Sequence, residues 1–157
     1  RVMPVTETRW LDERQHRAWR AYLRMQTRLT ARMHHELQAD AGLSLADFDV
    51  LVALSEAPEQ RMRPFELSAA LEWEKSRLSH HVRRMEQRGL VDREECEDDG
   101  RGAYLVLAPL GGQALTRAAP RHVEIVRQLV FDGLTPAQVD GFAEVMDTVL
   151  ARLDAPG

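Results

Sequence analysis

Between residues 75 and 93 the chain gathers Lys75, Arg77, Arg83, Arg84, Arg88 and Arg93 against only Glu86 and Asp92, a local charge of +4 in a protein whose net charge is −4. At 100° per residue, a helix over this stretch sets Leu78, Val82 and Met85 within about 60° of one another. The opposite face carries Ser76, His80, Arg83 and Gln87, and a flanking stripe carries Arg77, Arg84 and Arg88. One side suits a core. The other offers hydrogen-bond donors and positive charge, which is what a helix needs to enter the major groove of double-stranded DNA. The candidate DNA-binding residues of this segment are Lys75, Ser76, Arg77, Ser79, His80, Arg83, Arg84 and Arg88. Residues in the first turns are placed to reach base edges, and the later arginines to reach phosphates. Arg77 has the planar fork that fits guanine O6 and N7, but it lies about 80° from the centre of the polar face. It therefore either reads a base or grips a phosphate, leaving readout to Ser76 and His80. A competing reading makes residues 75–88 a basic helix that docks on an acidic protein partner.

Other chemistry is thinly represented. His34-His35-Glu36 and His80-His81 are adjacent residues, whose side chains point about 100° apart on a helix, so neither pair has the i, i+4 spacing of a shared metal. No metal site and no cofactor is expected. Ser, His and acidic residues are scattered, with no nucleophile elbow and no Gly-rich phosphate loop, so the reading is not an enzyme. Cys96 is the single cysteine, which excludes an intrachain disulfide and fits a reducing compartment. A redox-sensing role for it is the further alternative. Its acidic neighbours Glu94, Glu95, Glu97 and Asp98 would raise a thiol pKa and suppress reactivity.

The elements that must position the basic helix can be read from periodicity and breakers. A chain of 157 residues and 17.9 kDa, 44% hydrophobic and 29% charged, suits one compact domain with an appended dimerisation element. The longest uncharged stretch, Gly102 to Thr116, contains three glycines and a proline, so no membrane span is expected. The chain begins with Arg1 rather than Met and shows no secretory signal, and a cytoplasmic location is expected.

From Trp10 to about Leu37 there is no Gly or Pro, and Leu11, Ala18, Tyr22, Met25, Leu29 and Met33 recur near heptad spacing, predicting a long amphipathic helix. Trp19 and Tyr22 lie on or beside its apolar stripe, and Trp73 is expected to pack the turn before the basic helix. Ala41-Gly42 breaks the first helix. Ser44 and Asp47 form a capping-box variant, with Leu43 and Phe48 as a hydrophobic staple, opening a second helix from about Leu45 to Glu56. Its inward residues are expected to be Phe48, Leu51, Val52 and Leu45. Glu59 to Arg63 reads as a loop. Pro64 starts a short third helix with Leu67, Ala70 and Leu71 inward. The basic helix follows from about Lys75 to Arg88, ended by Gly89. Leu90, Val91 and Arg93 begin a strand, Asp98 to Gly102 turn, and Ala103 to Leu107 return as its partner. Pro109 and Gly111-Gly112 mark the exit to a fifth helix, about Gln113 to Phe131, which Pro120 kinks or divides. Thr135, Pro136 and Gln138 start a last helix to about Leu153, with Val139, Phe142, Val145, Met146 and Leu150 on one face. Apolar stripes on the first and last helices exceed what a small lobe can cover, so a homodimer is expected.

Three short helices and a two-stranded hairpin give the order of a winged helix-turn-helix: mainly α, with a small β-hairpin wing and a helical dimerisation region. The stretch Leu67-Ser-Ala-Ala-Leu71, then Lys75-Ser-Arg-Leu-Ser79, then Arg84-Met-Glu-Gln-Arg-Gly-Leu-Val91 with Arg93, resembles the DNA-binding core of MarR-family transcriptional regulators. Asp99-Gly-Arg101 followed by Leu107, Pro109 and Gly111 resembles that family's wing. The resemblance spans essentially the whole chain. It implies residues 1–40 and 113–157 as an interlaced dimerisation region and residues 41–112 as the winged lobe. It also implies that Arg101 enters a minor groove while Asp99 orients it, on a pseudo-palindromic operator. A further implication is repression relieved by a small phenolic or anionic effector, for which Trp19, Tyr22 and His34 are the candidate ligand-binding residues. The family's single-cysteine sensors keep that residue in the first helix, unlike Cys96. Two positions depart from the pattern: Gly100 replaces a frequent second Arg, and Ala108 replaces a Thr that would cap the fifth helix.

Overall fold

The computed structural model describes residues 7–95 and 102–157. Among these described residues, six α-helices and a three-stranded antiparallel sheet follow in order as α1 (Glu13–Ala41), α2 (Leu45–Glu56), β1 (Arg61–Met62), α3 (Pro64–Leu71), α4 (Lys75–Gln87), β2 (Val91–Glu95), β3 (Ala103–Leu107), α5 (Pro109–Val126) and α6 (Pro136–Leu153). A short 3-10 turn, Pro58–Gln60, precedes β1, and a π-helical turn, Arg127–Phe131, continues α5. The arrangement is the mainly helical winged helix-turn-helix that the sequence predicts, and no helix among the described residues is long and apolar enough to cross a membrane.

Helix α1 starts three residues later than its periodicity suggests because Asp12 caps it. The Asp12 side chain accepts from the Gln15 backbone N–H at 2.8 Å while the Gln15 side chain accepts from the Asp12 N–H at 3.0 Å. Trp10 and Leu11 thus precede the helix. It continues past Leu37 to Ala41, where Gly42 at φ +65° closes it. Helix α2 begins with the capping box expected of Ser44 and Asp47, each of the two bonds 2.9 Å long. Its core face is wider than expected. Val50 and Leu54 are buried with Phe48 and Leu51, whereas Val52 and Leu45 are only partly covered. Leu67 of α3 is buried, Leu71 is half-buried, and Ala70, expected inward, is exposed. A helix of eight residues turns one narrow stripe to the core, and the long side chain of Leu67 fills it.

Leu78, Val82 and Met85 of α4 complete the core with Leu43, Leu90, Val91 and Leu105. Fully burying a side chain of this size contributes about 1.5–3 kcal/mol. The wing pairs Val91 with Leu107 and Glu95 with Ala103. The segment expected as a loop from Glu59 to Arg63 contains a third strand, since Arg61 pairs with Val106 and Met62 with Leu105 on the free edge of β3. Two residues are too few to show a period of two, so nothing in the sequence marks them.

Helix α5 corrects another expectation. It begins at Pro109, not at Gln113, and Gly111-Gly112 lie inside its first turn. Gly111 is there for contact. A Cβ on it would stand 2.1 Å from the Leu90 carbonyl oxygen, and Ala108 donates its N–H to that same oxygen at 3.2 Å. The start of α5 is thereby pressed onto the start of β2. No side chain caps this helix at Ala108, as its residue type implies. The helix runs undivided through Pro120 to Val126. Helix α6 opens on the Thr135–Gln138 capping box.

Candidate nucleic-acid interface

Helix α4 divides lengthwise into a free edge and a held flank. On the free edge, Lys75, Ser76, Ser79, His80 and Arg83 are exposed, and among the described residues their side chains have no hydrogen-bond or ion-pair partner. These are five of the eight residues that the sequence places on this helix as candidates for DNA. The other three, Arg77, Arg84 and Arg88, lie on the flank and each meets a partner inside the lobe.

The flank is organised by Asp47, which is 3% exposed. Besides capping α2, its Oδ2 accepts from Arg88 Nη1 at 2.7 Å, and its Oδ1 lies 2.9 Å from His81 Nε2. Arg88 Nη2 donates to the Gly42 carbonyl at 2.9 Å, so the end of α4 is tied to both sides of the α1–α2 turn. Burial alone would raise the pKa of Asp47. The hydrogen bonds from Arg88 and the Ser44 backbone, with the charges of Arg88 and His81, outweigh it and hold the carboxyl below the ordinary 3.8. His81 is pushed below 6.5, first by burial and then by the charges of Arg84 and Arg77, against the pull of Asp47. Its Nδ1 lies 3.2 Å from Arg84 Nη2, a donor, so Nδ1 is the acceptor and Nε2 carries the hydrogen. That N–H is close to Asp47 but out of line with it, so the contact is electrostatic rather than a formed hydrogen bond.

Arg77, one turn N-terminal to His81, lays its guanidinium 4.1 Å from the ring centroid of Trp73. Trp73 in turn meets the His81 ring at 86° with centroids 5.4 Å apart. Trp73 packs the turn before α4, as expected, and adds this second contact. Nothing in the sequence separated Arg88 from the other stripe arginines, because its partner lies 41 residues away.

At the wing, Arg93 bonds Glu86 at 2.6 Å and Arg61 bonds Glu94 at 2.9 Å, so two acids near the hairpin are neutralised locally. Arg61 and Arg63 both lie over the Tyr104 ring, at 4.3 and 4.6 Å. Asp99, Arg101 and Cys96 lie outside the described residues.

Among the candidate effector residues, Trp19 and Tyr22 stack at 5.5 Å on the exposed side of α1. His34 lies twelve residues beyond Tyr22, about 18 Å along the same helix, and so does not join them within one chain. Its Nδ1 accepts the Leu45 backbone N–H at 3.2 Å, joining α1 to the first turn of α2. The His122 ring lies tilted at 39° against Phe48 with centroids 4.4 Å apart, and burial pushes its pKa below 6.5 against the charge of Asp49. Among the described residues no group of His, Cys, Asp or Glu could hold a metal ion.

Residues 41–102 match the family model described as the MarR family. The chain is 27% identical over 135 residues to the transcriptional repressor MprA of Escherichia coli strain K12, covering 86% of this chain and 76% of the repressor. The crystal structure of Sco3205, a MarR family transcriptional regulator from Streptomyces coelicolor in complex with DNA, is 41% identical with a TM-score of 0.89, covering 96% of this chain and 94% of that one. AbsC, a MarR family regulator from the same organism, is 38% identical with a TM-score of 0.87 and coverage of 93% and 98%. With this identity sustained over nearly the full length of both chains, the protein belongs to the MarR family of transcriptional regulators.

Proposed function

We propose that the protein is a homodimeric, sequence-specific DNA-binding repressor whose α4 enters the major groove. The observation that carries this reading is the lengthwise division of α4. Ser76, His80 and Arg83 stand free on the edge opposite the core, with Lys75 and Ser79 beside them, while the flank is fixed to the lobe. A groove-reading helix needs unpartnered donors on one edge and a rigid attachment on the other. Ser76, His80 and Arg83 read base edges. Arg77 and Arg84 lie toward the rim, where phosphates pass, and the stacking of Arg77 on Trp73 favours this over base readout. Arg88, bonded to Asp47 and Gly42, positions the helix. Asp99 and Arg101 extend the interface into a minor groove, as the family resemblance implies.

Residues 1–40 and 113–157 form the dimerisation region and 41–112 the lobe, with the boundary falling inside the first turns of α5. Exposed apolar side chains on the outer helices support the dimer: Leu23 and Met25 on α1, and Val145, Val149, Leu150 and Leu153 on α6. The protein acts in the cytoplasm, and a small phenolic or anionic effector releases it from DNA, with Trp19, Tyr22 and His34 as the residues to test.

Selection of duplexes from random DNA, followed by titration against unselected competitor at several salt concentrations, tests the reading. The expected result is an enriched pseudo-palindrome bound by two protomers, with affinity falling steeply with salt. No enrichment, with binding instead to an acidic protein, would establish an interaction module.

A further inference from the structure

We infer that Trp73 is a positioning residue for DNA binding, acting as a platform that holds Arg77 in place before the duplex arrives. The inference rests on the proposed DNA-binding function. Arg77 is on the first turn of α4, exposed, and its guanidinium lies 4.1 Å from the Trp73 ring centroid. A long arginine side chain in water samples many rotamers, and binding must freeze them. A tryptophan face attracts a guanidinium through the ring quadrupole while leaving the N–H groups at its edge free to donate. The ring is itself held. It packs against the hydrophobic core and meets His81 at 86°, and the Trp73 backbone carbonyl accepts the Ser68 hydroxyl, fixing the main chain beneath it. The platform and the arginine are thus joined to the lobe before either meets DNA.

A purely structural role for Trp73 predicts something different. Loss of packing would lower stability, and would leave the number of phosphates contacted by the folded protein unchanged. A platform role predicts that losing the ring also loses the Arg77 contact. The experiment compares Trp73→Leu, Trp73→Phe, Arg77→Ala and the Trp73→Leu/Arg77→Ala double variant. Each is titrated with a wild-type-selected duplex and a random-sequence duplex at several salt concentrations. Arg77→Ala is expected to weaken both duplexes by the same factor and to flatten the salt slope by about one unit per protomer. Trp73→Leu is expected to flatten the slope in the same direction and to cost roughly 2- to 30-fold in Kd per protomer, the range of a cation–π contact. The double variant should be no weaker than Arg77→Ala alone, and Trp73→Phe should fall between wild type and Trp73→Leu.

A wild-type salt slope in folded Trp73→Leu, or losses that add in the double variant, overturns the inference. An unchanged slope in Arg77→Ala removes the phosphate contact itself, and so overturns it too while leaving DNA binding intact. Absence of specific binding by the wild type refutes the underlying function as well. If Trp73→Leu fails to fold, biosynthetic fluorination of tryptophan weakens the ring quadrupole without changing ring shape. Affinity should then fall in the wild type and not in Arg77→Ala, and equal falls in both overturn the inference.

Discussion

Asp47→Asn is the substitution that isolates charge from shape at the root of α4. The amide keeps one oxygen, which can face Ser44 N–H and Arg88 or face His81, but its NH2 must then oppose a donor on the other side. The Ser44 N–H bond becomes a neutral one, and the Arg88 bond keeps its charged donor but loses its charged acceptor. The difference is about 1 kcal/mol for the Ser44 N–H bond. It is roughly half that for Arg88, whose side chain is 44% exposed and can find water. An amide N–H against His81 Nε2–H adds about 1 kcal/mol of unsatisfied polar contact. The expected loss is therefore about 2–3 kcal/mol at neutral pH, or roughly 4–12 °C in Tm for a protein of this size. Because the carboxyl is held below 3.8, its contribution is complete above that pH and is lost as the pH falls through the folded-state value. Thermal unfolding followed by circular dichroism, at fixed protein concentration, should show the gap between wild type and variant closing at the acid end. A neutral-pH Tm within 1 °C of wild type, or a gap that stays constant into acid, would falsify the account of Asp47 as a charged anchor.

The same reasoning gives four shorter expectations. Gly111→Ala should destabilise by about 3 kcal/mol or more, since a methyl at 2.1 Å from a backbone oxygen must displace α5 from β2; denaturant midpoints measure it. His81 and His122 both have lowered pKa values, so stability should fall as the pH drops below 6.5, and His122→Gln should flatten Tm between pH 7.5 and 5.5. Arg83→Ala should cost about 1–3 kcal/mol and relax preference at one symmetric position of each half-site, read from selected sequences. Leu150→Glu, on the exposed apolar face of α6, should shift the protein to monomer in light scattering.

The parts of the fold that were legible in the sequence were those set by neighbours in the chain. Ser44 and Asp47 announce α2, Thr135 and Gln138 announce α6, and Leu78, Val82 and Met85 declare the inner face of α4, because caps and periodicity act within a few residues. What escaped depends on segments far apart. Gly111 reads as a turn marker until Leu90 is placed against it. Arg61-Met62 become a strand only because β3 offers an open edge. Arg88 and Arg84 are equivalent on a helical wheel, and the buried carboxylate of Asp47 distinguishes them. Asp47 itself reads as a cap, and its second role needs α4 to be packed beside it. Candidate base-reading positions were visible from periodicity alone. The division between free edge and held flank was not.

That division bears on how such a regulator can change its target. Asp47 faces Ser44, Arg88 and His81 at once, so substitution at this buried carboxylate disturbs all three contacts, and of these positions it is the least free to drift. Ser76, Ser79, His80 and Arg83 have no such obligations within the described chain. After gene duplication, single substitutions along this edge can alter sequence preference while the seating of the helix stays as it was. New targets are then reachable by steps that each leave a folded protein, and a laboratory library confined to the same edge would search binding preference without searching stability.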